Sequence, residues 1–127
     1  MTETNTVTQD ERSRAGGGRP AGVSVVMPAY NEEKGIGPQI ERLRQVMEGC
    51  GRAFEIIVVD DGSTDGTAAE SRKHHVRLVQ QGRNRGYGAA LKAGIAVAAN
   101  DWVVIIDADG TYPAEFIYSN LAVAANT

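Results

Sequence analysis

At 127 residues the chain is one domain at most, or part of one, and is long enough to bury a real core. Its 42% hydrophobic and 23% charged content is ordinary for globular proteins and excludes a chain disordered throughout. A net charge of −3 excludes the basic footprint of a nucleic-acid binder, and the pair Arg83 and Arg85 reads as a local solvated spot.

Residues 1–21 are polar and end in a glycine-rich run before Pro20, with little to bury, so a disordered leader is expected. The N-terminus lacks the apolar stretch of a signal peptide, and no apolar run approaches the roughly 18 residues of a membrane span. A cytoplasmic chain is therefore expected. Cys50 is the sole cysteine, which fits a reducing compartment and reads as a small residue at a helix end, with no basic neighbour to activate it.

From Gly22 on, apolar strands alternate with amphipathic helices. Val23–Met27 predicts a first strand, stopped by Pro28. Ile36, Ile40, Leu43 and Met47 follow at helical steps, a stripe packed on a sheet, ended by Gly49 and Gly51. Phe54–Val59 predicts a strand buried on both faces, followed by the turn-rich loop Asp60–Gly66 and a short helix over about Thr67–Lys73. Val76–Gln80 predicts a third strand, and the Gly-rich loop Gly82–Gly88 opens an alanine-rich helix over residues 89–98. Trp102–Ile106 predicts the fourth strand, and Pro113 sits where a last helix begins.

Four βα units in series argue for an α/β fold with a mostly parallel sheet, whose ligands bind outside the C-terminal strand ends. Three loops at that edge carry candidate chemistry: Pro28–Glu33, Asp60–Gly66 and Asp107–Pro113. In the first, Tyr30 offers an aromatic face, Asn31 an amide, and Glu32 and Glu33 carboxylates. The same loop also reads as a plain helix entry, with both glutamates favouring the helix's positive end. In the second, one aspartate of Asp60-Asp61 closes an Asx-turn, Ser63 or Thr64 caps the next helix, and the other aspartate faces ligand. In the third, Asp107 and Asp109 lie i, i+2 after a buried strand, so both carboxylates point one way and repel unless a cation intervenes. That spacing points to a hard divalent metal shared with a phosphate-bearing ligand. Asp109-Gly110 is also a turn signal.

Gly86-Tyr87-Gly88 is not a dinucleotide fingerprint, because its third glycine would fall at Leu91. These glycines read as sites of close helix packing. His74-His75 reads as an exposed pair at a helix end rather than a metal site. A phosphoacceptor receiver domain needs its acidic pair after the first strand, where this chain has Pro28-Ala29-Tyr30-Asn31.

Four segments in order, Val23 to Glu32, Ile57 to Thr67, Asn84-x-Gly86 and Ile106 to Pro113, resemble the nucleotide-sugar-binding half of family 2 glycosyltransferases, specifically the polyprenyl-phosphate (dolichol-phosphate mannose synthase-like) group. The likeness covers about residues 22–125. It implies a GT-A (Rossmann-like) fold, here the N-terminal donor-binding half over residues 22–127, binding a UDP- or GDP-sugar. By position, Pro28, Tyr30, Glu32 and Asp61 would hold base and ribose. Ala29, Val59 and Ala108 would add nucleotide-sugar contacts, Asp107 would bind the sugar-phosphate side, and Asp107 with Asp109 would hold Mg²⁺ or Mn²⁺ on the diphosphate. The implied reaction is inverting transfer to an acceptor, of which a polyprenyl phosphate is one, and such an acceptor would bring the chain to a membrane. Two departures follow. Thr111 stands where some such enzymes carry a metal-contacting Gln, and acceptor-binding groups and a general base are expected in a further C-terminal half or a partner chain. Without them, a non-catalytic donor-binding module is the alternative.

Overall fold

The computed structural model describes residues 22–110. The leader over residues 1–21, Thr111 and the helix expected from Pro113 lie outside the described residues. In chain order the elements are β1 (Val23–Ala29), α1 (Ile36–Gly49), β2 (Phe54–Asp60), α2 (Thr67–Arg72), β3 (Arg77–Gln80), α3 (Tyr87–Val97) and β4 (Trp102–Ile105). The strands form a parallel sheet in the order β3-β2-β1-β4.

β1 and β2 are buried along their whole length, which their unbroken apolar runs require. Pleating sends Val25, Met27, Ile56 and Val58 to one face, where they meet the helical stripe Ile36, Ile40, Leu43 and Met47. Each of those four fully buried helix side chains contributes about 1.5–3 kcal/mol of apolar transfer. Val26, Ile57 and Val59 face the other way, onto Ala90 and the partly buried Leu91, Ala93 and Val97 of α3.

The first strand runs two residues past its expected end, through Pro28. The hydrogen bonds explain why. Val26 O accepts the Ile106 N–H (3.1 Å) and Ala29 O accepts the Asp61 N–H (2.9 Å), so alternate residues of β1 face β4 and β2 in turn. Pro28 shares the orientation of Val26, yet paired β4 reaches only the level of Val26. The missing N–H therefore points where no ladder remains. Helix α3 begins at Tyr87, two residues earlier than expected, because Gly86 is the N-cap at φ 100° and its N–H is fixed by Asp61.

At the opposite end of the sheet, Ser24 Oγ and the Ala99 N–H both donate to Glu55 Oε2, each at 2.6 Å. Asn100 donates its N–H and its side-chain amide to Ser24 Oγ, at 3.1 and 3.2 Å. Arg77 lies 3.9 Å from Glu55 and donates to Val97 O. This buried network ties the end of α3 to the sheet.

Close packing of α3 falls to Gly94. A Cβ there would lie 2.4 Å from Val26 Cγ1 and 3.0 Å from Val59 Cγ2, whereas at Gly86 or Gly88 it would meet nothing within 4 Å. The packing role expected of the loop glycines thus belongs to a residue two turns along the helix. At the far end of α1, Cys50 caps the helix through its N–H to Met47 O. Burial pushes the Cys50 thiol up and outweighs the opposing pull of Arg52, a basic neighbour that sequence reading overlooked.

Ala is favoured over Gly in a free helix by about 1 kcal/mol, but overpacking against rigid, fully buried valines costs about 1–3 kcal/mol. The cost therefore equals or exceeds the gain, by about 0–2 kcal/mol. Gly94→Ala is thus expected to lower the thermal melting temperature by up to several degrees, and a raised melting temperature would show that α3 is not seated on Val26 and Val59.

Candidate functional site

The C-terminal strand ends converge on a cavity of about 450 Å³. Pro28, Ala29, Tyr30 and Glu32 come from the end of β1 and its loop, and Asp61 from the end of β2. Asn84, Gly86, Tyr87 and Ala90 come from the loop after β3 and the start of α3, and Asp107, Ala108 and Asp109 follow β4. The strand order reverses at β1, which has β2 on one side and β4 on the other, and such a switch point opens a crevice.

Polar groups of the first two loops are largely consumed in joining those loops together. Asn31, the one non-glycine residue with positive φ (53°) among the described residues, donates its N–H to Ser63 Oγ (2.9 Å). Its side-chain oxygen accepts the Thr64 N–H (2.8 Å). Glu32 N–H donates to Thr67 Oγ1 (2.8 Å), Glu33 N–H to Asp65 (3.3 Å), and Glu33 Oε1 accepts the Gly66 N–H (3.0 Å). The Asn31 amide is thus a latch rather than a ligand-facing group, and Glu33 serves the start of α2 instead of α1. Neither Ser63 nor Thr64 caps α2; Asp65 accepts the Thr67 N–H (3.0 Å). Those hydrogen bonds, chiefly the one from the Thr67 hydroxyl, hold the Asp65 carboxyl below its ordinary range.

The aspartate pair after β2 divides its work. Asp60 is buried and closes the turn by accepting the Ser63 N–H (3.0 Å), so it does not line the cavity. Asp61 lines it while accepting the N–H groups of Arg85 (2.8 Å) and Gly86 (3.0 Å), one on each oxygen. Each carboxylate oxygen accepts about two hydrogen bonds, so capacity remains for a ligand. Gly62, at φ 76°, makes this clasp possible: a Cβ there would lie 2.2 Å from the Arg83 carbonyl carbon.

Beyond β4, Ile106 and Ala108 stay buried on the α1 side, and Gln39 holds the segment by donating to Asp107 O (3.3 Å). Asp107 and Asp109 therefore both reach the cavity, although they lie in the turn past the strand rather than within it. The Tyr87 hydroxyl donates to Asp107 Oδ1 at 3.5 Å. Desolvation, then the Asp107 charge and this bond, push the Tyr87 phenol up. Desolvation, then the charges of Asp109 and Asp65, push the Glu32 carboxyl up.

Among the described residues no three His, Cys, Asp or Glu side chains converge into a metal cage. Asp107 and Asp109 both line the cavity, and carboxylate oxygens are hard donors of the kind that suits Mg²⁺ or Mn²⁺ together with phosphate and water. The negative charge of Asp109 already acts on Glu32, so a cation would relieve this corner.

Of the residues expected from sequence, Pro28, Ala29, Tyr30, Glu32, Asp61, Asp107, Ala108 and Asp109 line this cavity together, whereas Val59 is wholly buried under α3 and does not. Sequence reading missed the loop after β3 as a wall. An aromatic directly after a glycine at the entry of a helix, at the same strand-end level as the other loops, was the available signal. His74 is no lone exposed residue either, since it contacts Glu41 at 2.5 Å and packs over Gly37 of α1.

The family model for glycosyl transferase family 2 matches residues 24–126. A dodecaprenyl-phosphate galacturonate synthase of Rhizobium johnstonii is 39% identical over 93 residues, covering 68% of this chain and 28% of the relative. The mannosyltransferase PcManGT from Pyrobaculum calidifontis, solved with GDP-Man and Mn²⁺, superposes with a TM-score of 0.67 at 31% identity, covering 82% of this chain and 32% of that one. The glucosyl-3-phosphoglycerate synthase from Mycobacterium tuberculosis, solved with Mn²⁺, UDP and glucosyl-3-phosphoglycerate, gives 0.61 at 33% identity, with 81% and 37% covered. The parallel α/β architecture is that of these GT-A neighbours, and the chain spans about a third of their length or less.

The latch between the first two loops yields a pH signature. A carboxyl depressed in the folded state contributes stability that is present above its unfolded value, about 3.9, and is lost as pH falls through the lower folded value. Asp65→Asn should therefore melt below the parent at pH 7, with the gap closing as pH drops below about 4. A gap independent of pH would remove Asp65 from this role.

Proposed function

The chain belongs to glycosyl transferase family 2, and we propose that its rim cavity binds the nucleotide-sugar donor of a transfer reaction. The observation that carries this reading is the meeting of two tyrosines, Glu32, Asp61 and the Asp107–Asp109 pair around one cavity at the switch point. A nucleoside diphosphate needs all three chemistries: a ring to stack on, acceptors for hydroxyls and base N–H groups, and a cation for the phosphates.

In this assignment the half-exposed Tyr30 ring, with Pro28 and Ala29, receives the base. Glu32 and Asp61 accept hydrogen bonds from base and ribose, while Val59 acts only indirectly, packed in the cluster with Ala90, which lines the cavity. Ala108 and Asp107 face the sugar-phosphate side, and Asp107 with Asp109 hold Mg²⁺ or Mn²⁺. The bound ion supplies electrostatic stabilisation of the departing diphosphate. An acceptor oxygen attacks the anomeric carbon as the bond to the diphosphate breaks, which inverts that centre.

The donor is a UDP- or GDP-sugar, a reading supported by neighbours solved with GDP-Man and with UDP. A polyprenyl phosphate as acceptor is supported by the dodecaprenyl-phosphate relative. With that acceptor the chain would work in the cytoplasm at a membrane surface, and the acceptor-binding groups would come from outside residues 22–110 or from a partner chain. Among the described residues no helix is long and apolar enough to cross a membrane.

Calorimetric titration with UDP- and GDP-sugars should show binding that strengthens in Mn²⁺. Asp109→Ala should erase about tenfold or more of that gain, roughly 1.4 kcal/mol, and leave the metal-free affinity in place. Failure of both donors to bind, or a metal effect unchanged by the substitution, would refute the assignment.

A further inference from the structure

Tyr87, the first residue of α3, is 57% exposed, so core packing does not account for it. It nevertheless lines the cavity, and its hydroxyl donates to Asp107 Oδ1. Its backbone is placed with care. Asp61 takes the N–H groups of the two preceding residues, and Gly86 adopts φ 100° immediately before the helix begins. The backbone entering α3 at Tyr87 is thus fixed through Asp61, directly after β2, and the Tyr87 hydroxyl reaches across the rim to Asp107 after β4.

We infer that Tyr87 is a positioning residue of the donor site, orienting the Asp107 carboxylate through its hydroxyl and presenting its ring to the nucleotide. This rests on the donor reading given above. A carboxylate has two oxygens and about four acceptor positions. Engagement of Oδ1 by the phenol restricts rotation of the Asp107 side chain and leaves the other oxygen for the ligand. At 3.5 Å the contact is at the long end for a hydrogen bond, and contacts of this kind tighten when a ligand fills the site.

The test is calorimetry on the whole chain with UDP and with GDP, each with and without Mn²⁺. Tyr87→Phe keeps the ring and removes the hydroxyl. It should leave the metal-free affinity and the melting temperature unchanged while weakening binding in Mn²⁺ by about five- to tenfold. Tyr87→Ala should weaken binding under both conditions, because the stacking surface is lost as well. Equal affinities for the parent and Tyr87→Phe in Mn²⁺ would overturn the inference and leave the donor reading standing. A loss of the same size with and without Mn²⁺ would also overturn it, since the hydroxyl would then act on the nucleotide and not on Asp107. A parent chain that binds neither nucleotide would overturn the donor reading itself, and this inference with it.

Discussion

Two strands with no solvent-facing side govern this structure. β1 and β2 pair in parallel from Val23 with Phe54 to Ala29 with Asp60, and both are buried throughout. Parallel pairing obliges each connection to cross over a face of the sheet, so helices cover both sides and all strands finish at one rim. β3 extends the sheet beyond β2, whereas β4 adds to the other side of β1. The gap this reversal opens is where Tyr30 meets Asp107 and Asp109.

The rim divides its polar groups between holding the loops together and lining the cavity. Here the accounting is clear residue by residue. Asn31, Glu33, Ser63 and Asp65 satisfy one another and the start of α2. Asp60 closes its own turn. Asp61 serves two purposes, holding the loop after β3 and facing the cavity. Glu32, Asp107 and Asp109 all line the cavity, where the charge of Asp109 acts on Glu32 and that of Asp107 on Tyr87. The organised loops thus hold the cavity-lining carboxylates in place.

Much of this could be read in the residues beforehand, because the signals were local. Apolar runs at β1 and β2 and the four-residue stripe of α1 have periods that burial enforces, and the structure follows them closely. The Asp107-Ala108-Asp109 spacing likewise survives, although a turn rather than a strand orients it. What escaped notice depends on contacts between distant segments. Which of Asp60 and Asp61 faces the cavity is decided by Arg85 and Gly86, some two dozen residues away. Asn31 is drawn into the latch by Ser63 and Thr64, and Pro28 is tolerated in β1 only because β4 stops short. The wall formed by Asn84 and Tyr87 appears once the turn at Gly62 lets the loop after β3 come close.

The small residues of α3 have a further consequence. Ala90 and Gly94 are one turn apart on the same side of the helix; the latter touches Val26 and Val59, and the former borders the cavity. The pocket is therefore the unfilled continuation of the seam between helix and sheet. Its roof at that point is a methyl group and main chain instead of a long, adaptable side chain. Any change in the separation of α3 and the sheet would therefore alter the cavity on that side directly, with no long side chain there to adapt.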